Sequence, residues 1–228
     1  MVNLTRIYTR TGDDGSTALG DFTRTRKTDA RLAAYADTNE ANAAIGVAIA
    51  AGQLRDDVRE VLLRVQNDLF DVGADLATPV RPAYDHEPLR VQAEWVDELE
   101  ADCDHFNGRL ESLRSFILPG GTAASAYLHL ACTIVRRAER ATWGAIERYD
   151  VTPAPAPAPG GINPLTATYL NRLSDLLFIL ARVANVDDGG DVLWRPGGGR
   201  AAAPVKRTRT IAADDPLTDD DAPRDQVN

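Results

Sequence analysis

The chain is 228 residues long, 44% hydrophobic and 26% charged, with a formal net charge of -9. That length holds one core, so a single domain is the expectation. The acidic balance excludes general nucleic-acid or membrane-surface binding, which needs a basic face, and leaves room for a specific anion site. Two cysteines, Cys103 and Cys132, exclude a disulfide framework and read as free thiols of a reducing compartment. The first residues carry no apolar h-region, and no segment approaches ~20 uninterrupted apolar residues. A soluble, unexported, cytoplasmic protein is expected.

Residues 1–28 read as a loop broken by Gly12 and Gly15, with Ile7 and Tyr8 as a short extended piece. Asp29 caps a predicted helix running to Ala51, with Leu32, Tyr35, Ala36, Ala43 and Val47 as its apolar positions and Gly52 as its stop. Val58, Val61, Leu62, Val65, Leu69, Val72 and Leu76 then repeat at three- and four-residue steps, the cleanest helical pattern in the chain. Pro79, Pro82 and Pro88 make a loop. A weaker amphipathic helix over 91–107 carries Trp95, Val96, Leu99 and Phe106.

Phe116-Ile117-Leu118 is too short an apolar run for a helix, and Pro119-Gly120-Gly121 stops it. Thr122 caps a predicted helix over 123–149, about 40 Å long at ~1.5 Å per residue. The alternating Pro and Ala of 151–161 read as a stiff, exposed polyproline-like loop. A last helix is predicted over 163–185, with Asn163 as cap, Pro164 at the first position and Leu165, Tyr169, Leu173, Leu176, Leu177, Leu180 and Val183 as its apolar set. Residues 197–228 lack hydrophobic periodicity and are expected to be disordered. The fold class that follows is all-α: an up-and-down five-helix bundle over 29–196, preceded by an N-terminal loop over 1–28.

Chemistry concentrates in three segments. Arg136-Arg137-Ala138-Glu139-Arg140 crowds positive charge onto two turns, with Arg136 and Arg140 on one face. The bland reading is a solvated face with Glu139 as an ion-pair partner. Thr9-Arg10-Thr11-Gly12-Asp13-Asp14-Gly15-Ser16-Thr17 is a polar, glycine-punctuated loop but not a P-loop, because the Gly-Lys-Ser/Thr ending is missing. Asn171 and Asp175 place polar groups one turn apart on an apolar helix, where burial would demand hydrogen bonds. Loop amides plus arginines suit a polyphosphate. No metal site is expected: no Glu-x-x-His occurs, and His86, His105 and His129 lack ligand spacing. His129 reads as a packed core residue. No Ser/His/Asp arrangement is apparent.

Taken together, residues 5–196 resemble the PduO-type ATP:cob(I)alamin adenosyltransferases. The resemblance rests on Ile7 through Asp13, Lys27-Thr28-Asp29, Tyr35 with Glu40 and Asn42, Phe116 through Gly121, the arginine-rich run, and Tyr169 through Ala184. It implies a helical bundle that assembles as a homotrimer with active sites between subunits. The implied reaction moves the 5′-deoxyadenosyl group from ATP to cob(I)alamin, leaving triphosphate, with Mg2+ assisting. A reductase and an adenosylcobalamin-dependent client enzyme are implied partners. By resemblance, ATP contacts fall on Thr9, Arg10, Thr11, Gly12, Thr17, Lys27, Arg136, Arg137, Glu139, Arg140 and Asn171. Arg136, Arg140 and Phe116 carry the catalytic roles, with Phe116 as an aromatic wedge below the corrin. The corrinoid side takes in Phe116, Asn39, Cys132 and Asp175.

Two linked positions depart from the family pattern. Asn39 stands where the family usually carries aspartate, and Cys132 where it usually carries arginine, one turn before Arg136. In the family these form an ion pair. Losing both partners is compatible with a sound fold, whereas losing one strands a charge at ~3–5 kcal/mol. Asp37 points roughly to the opposite side of its helix from Asn39. The departure leaves two readings: slower adenosylation, or a non-catalytic ATP or corrinoid carrier or sensor on the same scaffold. Cys132 itself reads as a small hydrophobic replacement or as a thiol exposed to redox chemistry.

Overall fold

The computed structural model describes residues 8–198. Five helices carry the architecture: α1 (Ala30–Ala51), α2 (Asp56–Leu76), α3 (Ala93–Asn107), α4 (Ala123–Tyr149) and α5 (Leu165–Val183). They alternate in direction. Asn42 on α1 meets Gln66 on α2, Arg64 on α2 meets Asp102 on α3, and Ser174 on α5 meets Cys132 on α4. Spatial order differs from chain order: α4 packs between α1 and α5, and α3 packs on the other side of α5. The middle of α4, with its arginines, is thus flanked by α1 and α5.

The predicted N-terminal loop contains a small hairpin, β1 (Ser16–Ala18) paired antiparallel with β2 (Arg24–Arg26), Thr17 facing Thr25. Three-residue strands are too short to show alternation, so the pattern hid them. Ile7 and nearly all of the tail lie outside the described residues. Asp29 ties the hairpin to the bundle. Its carboxylate caps α1 at Arg31 N, accepts from Thr25 Oγ1 at 2.8 Å and accepts from Tyr149 Oη at 2.5 Å.

The core forms where the periodicity was strong. Val58, Leu62, Val65, Leu69, Val72 and Leu76 are buried along α2, and Tyr169, Leu173, Leu176, Leu177 and Leu180 along α5. On α1 the predicted apolar set is displaced. Ala34, Ala41, Ile45 and Ala48 are buried with Arg31, Thr38 and Asn42, whereas Val47 is exposed. An alanine-rich helix offers little contrast between faces, and polar groups that find partners compete for the inner face. Helix α5 begins at Leu165 rather than Asn163, yet Asn163 Oδ1 still accepts from Leu165 N at 3.1 Å.

The Pro-Ala segment is exposed over most of its length, as expected, but it is not free-standing. It folds back onto the bundle, with Val80 N donating to Gly161 O and Ala154 N to Val80 O. Arginines hold it. Arg31, 1% exposed, donates to Leu76 O at 3.1 Å, Gly160 O at 2.8 Å and Gly161 O at 3.1 Å. Arg81 donates to Ala154 O at 2.9 Å and to Ala158 O, and pairs with Asp21. Beside them the buried Asp75 carboxylate accepts from Arg90 at 2.5 Å, Val91 N at 2.8 Å and Asn163 Nδ2 at 2.7 Å. Prolines leave carbonyls without a local partner, and these guanidiniums supply the donors.

At the other end, Gly121 adopts φ +101, and a Cβ there would meet Asn185 Oδ1 at 2.3 Å. Asn185 accepts from Thr122 N and donates to Gly120 O, closing the entry to α4 against the end of α5.

Arg31→Ala would leave buried carbonyls of two connections unpaired. A loss of about 3 kcal/mol is expected, read as a lower urea midpoint at unchanged m-value. A midpoint equal to that of the parent protein would show that the clamp does not hold the loops.

Candidate functional site

Helix α4 sorts its charges by partner. Arg137, in the middle of the cluster, reaches α1 and pairs with Glu40 and with Asp37 at 3.4 Å. The hydrogen bond it donates to Glu40 raises its pKa. Asp37 and Asn39 do face different ways: Asn39 lies toward α2, 4.0 Å from where a Cβ on Gly73 would be. Arg136 donates weakly to Ser174 Oγ at 3.4 Å, and Arg140 donates to Arg136 O at 3.1 Å. Neither has a carboxylate partner among the described residues. Glu139 does not neutralise the arginines, as the bland reading supposed. Its Oε1 accepts from Asn171 Nδ2 at 3.1 Å and from Trp143 Nε1 at 3.4 Å. The result is an exposed pair of unneutralised guanidiniums beside a fixed amide.

Asn171 and Asp175 are not buried, and each has its own polar partner. Asn171 is exposed and turns to α4. Asp175 pairs with Arg172 at 3.2 Å, while Arg172 also reaches Glu100 at 2.9 Å. Asp175 and Arg136 instead meet at a cavity of about 560 Å³, which also has Phe178, Ile179, Arg182 and Leu113 in its wall. Apolar and charged side chains share this wall, a mixed lining that suits an amphiphilic ligand.

Cys132, 3% exposed, sits behind this wall and donates to Ser174 O at 3.2 Å. Burial raises its pKa, with Arg136 opposing. It is a protonated, packed thiol that fills the α4–α5 seam. Cys132 faces α5 and Asn39 faces α2, so one protomer does not bring these two positions together. His129 is buried, as read from the sequence, with its ring edge-on to Phe178.

Phe116 lies outside the core. It is 77% exposed and contacts Trp194 edge to face at 5.9 Å. Its segment is held by a second one: Trp194 N donates to Phe116 O at 2.8 Å and Leu118 N to Val192 O at 2.7 Å.

The N-terminal loop forms a separate group. Gly12 packs under Lys27: a Cβ at Gly12 would lie 3.1 Å from Lys27 Nζ and 3.0 Å from Ser16 O. Lys27 N donates to Gly15 O at 2.9 Å. Thr9 and Thr11 bond to each other at 3.0 Å, and Arg10 takes a positive φ of 60. Thr17, on β1, faces a smaller cavity with Tyr35, Leu32 and Phe70. Through Asp29 and Tyr149 this group adjoins the end of α4. Arg136 lies thirteen residues back along that helix, roughly 20 Å at ~1.5 Å per residue. One protomer therefore keeps the predicted nucleotide residues in two separate groups, the loop around Gly12 and Lys27 and the arginine face of α4.

No cluster of His, Cys, Asp or Glu among the described residues could hold a metal by itself. Mg2+ fits such a site only as a passenger of the phosphates, keeping waters and few protein ligands. No helix among the described residues is long and apolar enough to cross a membrane.

The sequence profile described as Cobalamin adenosyltransferase matches residues 7–184. The chain belongs to this family. A corrinoid adenosyltransferase from Mycobacterium bovis is 57% identical over 202 residues, covering 89% of this chain and 99% of the relative. A cobalamin adenosyltransferase from Cupriavidus metallidurans is 43% identical over 195 residues, covering 84% and 95%. Among solved structures, a variant PduO-type ATP:corrinoid adenosyltransferase from Lactobacillus reuteri, complexed with cobalamin and ATP, superposes with a TM-score of 0.72 at 33% identity, covering 83% of this chain and 99% of that one.

Sequence reasoning missed Ser174 and Trp143. Ser174 lies three residues after Asn171, on the same side of α5, and Trp143 lies four after Glu139, so helical spacing carried both signals. Neither thiol should be reactive in the folded protein: Cys132 is packed, and burial pushes Cys103 up to about 11. Native protein is expected to take up a maleimide far more slowly than urea-unfolded protein. Fast native labelling of Cys132 would show that the α4–α5 seam opens.

Proposed function

We propose that this chain transfers the 5′-deoxyadenosyl group of ATP to cob(I)alamin, releasing triphosphate, and that Arg136 and Arg140 take up the charge that develops on the leaving group. The family supports the reaction. The observation that carries the residue assignment is the pair of guanidiniums without carboxylate partners on the exposed face of α4, next to residues whose charges are satisfied.

Cobalt(I) is itself a strong nucleophile, so the protein needs no base. It must place C5′ in line between cobalt and the departing oxygen, a proximity effect. It must also meet the negative charge growing on that oxygen with fixed donors. Arg136 stands at the cavity that Asp175, Phe178 and Ile179 line, which would supply part of the corrinoid's contact surface, and Arg140 lies one turn further along. Mg2+ would arrive with the phosphates and neutralise part of their charge. Phe116, exposed on a segment braced by Val192 and Trp194, is suited to cover the lower face of cobalt and exclude water there. Glu139 orients Asn171 toward the nucleotide. The loop around Gly12 and Lys27 would add backbone amides and an ammonium to the phosphates. Because it lies at the far end of α4 from Arg136, a neighbouring protomer is its natural source, which favours the trimer. The carrier reading draws no support from the relatives, which are named for the transferase activity.

The assay combines protein, ATP, Mg2+ and reduced cobalamin and follows the light-sensitive cobalt–carbon product together with triphosphate. Arg136→Ala and Arg140→Ala are each expected to lower kcat/KM by about 10²–10³, with the circular dichroism spectrum unchanged. Wild-type turnover in either variant would remove these arginines from the mechanism. Asn39→Asp with Cys132→Arg restores both charges of the family pair, to meet between neighbouring protomers, and is expected to speed turnover. Cys132→Arg alone would bury a lone charge and cost ~3–5 kcal/mol. A double variant no faster than the parent would show that the pair is not limiting here.

A further inference from the structure

We infer that Trp143 is a binding residue for the purine base of the nucleotide, a stacking platform at the outer end of the arginine face. The inference rests on the functional reading above and deepens it.

Arg136, Glu139, Arg140 and Trp143 follow one another at steps of three, one and three residues, so they form a single stripe on α4. At ~1.5 Å per residue, Arg136 and Trp143 are roughly 10 Å apart along the helix. That separation matches the reach of an extended nucleoside triphosphate from phosphates to base. Trp143 is 46% exposed, so much of the indole surface is open to a ligand. It is also restrained. Its Nε1 donates to Glu139 Oε1 at 3.4 Å, and the same oxygen accepts from Asn171 Nδ2 at 3.1 Å.

One carboxylate thus fixes an aromatic plane and an amide relative to each other. Because Asn171 turns its Nδ2 toward Glu139, its Oδ1 and its second N–H remain for a ligand. An amide in that state can accept from the exocyclic amine of adenine and donate to the neighbouring ring nitrogen. An indole beside it supplies the π-face on which a base stacks, and the two guanidiniums continue the stripe toward the phosphates. Stacking without an edge contact would be indifferent to the base. Stacking with Asn171 favours adenine.

The test uses the full-length protein and measures equilibrium binding of ATP and of inorganic tripolyphosphate, which has no base. Trp143→Ala is expected to weaken ATP about tenfold and to leave tripolyphosphate unchanged, with Trp143→Phe close to the parent protein. ATP should also change the tryptophan emission of the parent protein, tripolyphosphate should not, and the change should vanish in Trp143→Phe. The inference is overturned if Trp143→Ala binds ATP as the parent does. It is equally overturned if that variant loses both ligands alike, or if it alters the sedimentation of the protein, which would make Trp143 a contact between copies of the chain. Parent protein that binds neither ATP nor tripolyphosphate would overturn the functional reading along with it.

Discussion

A guanidinium without an ion-paired carboxylate lies at one end of the bundle, and much of the molecule is arranged around it. Arg31 is buried, and removal from water lowers its pKa to about 10, with Asp29 opposing the shift. Such a charge is tolerable only where carbonyl oxygens replace the lost hydration. The carbonyls come from the end of α2 and from the loop that returns α4 to α5. The same contact therefore closes two connections. With Asp29 and Tyr149 beside it, it also docks the N-terminal hairpin. The junction thus ties the N-terminal loop to the end of the helix that carries the arginines.

The arginine cluster gains its meaning from which members are satisfied. Three like charges on two turns repel one another, and a carboxylate near each would leave a neutral, inert surface. Here α1 provides acids for Arg137 alone, and Glu139 is occupied by Asn171 and Trp143. The electrostatic demand left at Arg136 and Arg140 has no answer within the described protomer, and a polyanion supplies one.

What the sequence made legible follows from contrast. Helix α2 alternates strongly apolar and charged residues, and its inner face was read correctly from Val58 to Leu76. Helix α4 was bounded by Thr122 and Tyr149 as expected, because a cap and a turn flank it. Helix α1 is largely alanine, so its inward face could not be told from its outward one, and Arg31 gave no hint of burial. Its partners are carbonyls 45 to 130 residues away, which leave no mark in local pattern. Phe116 shows the same limit: three apolar residues in a row do not tell an exposed ring from a buried one until the segment that pairs with them is seen. The arginine run and Asn171 were legible as chemistry, but the division of labour among the arginines depends on α1, which only the packing reveals.

The segment that displays Phe116 owes its position to residues that follow the last long helix. Val192 and Trp194 bridge to it, and Asp191 is tied back to Arg182 at 2.8 Å. The family match ends at residue 184, before any of these. A chain trimmed at that border would retain every helix and both groups of predicted nucleotide residues, yet its aromatic ring would lose its backstop. The functional edge of the protein thus lies some ten residues past its helical edge.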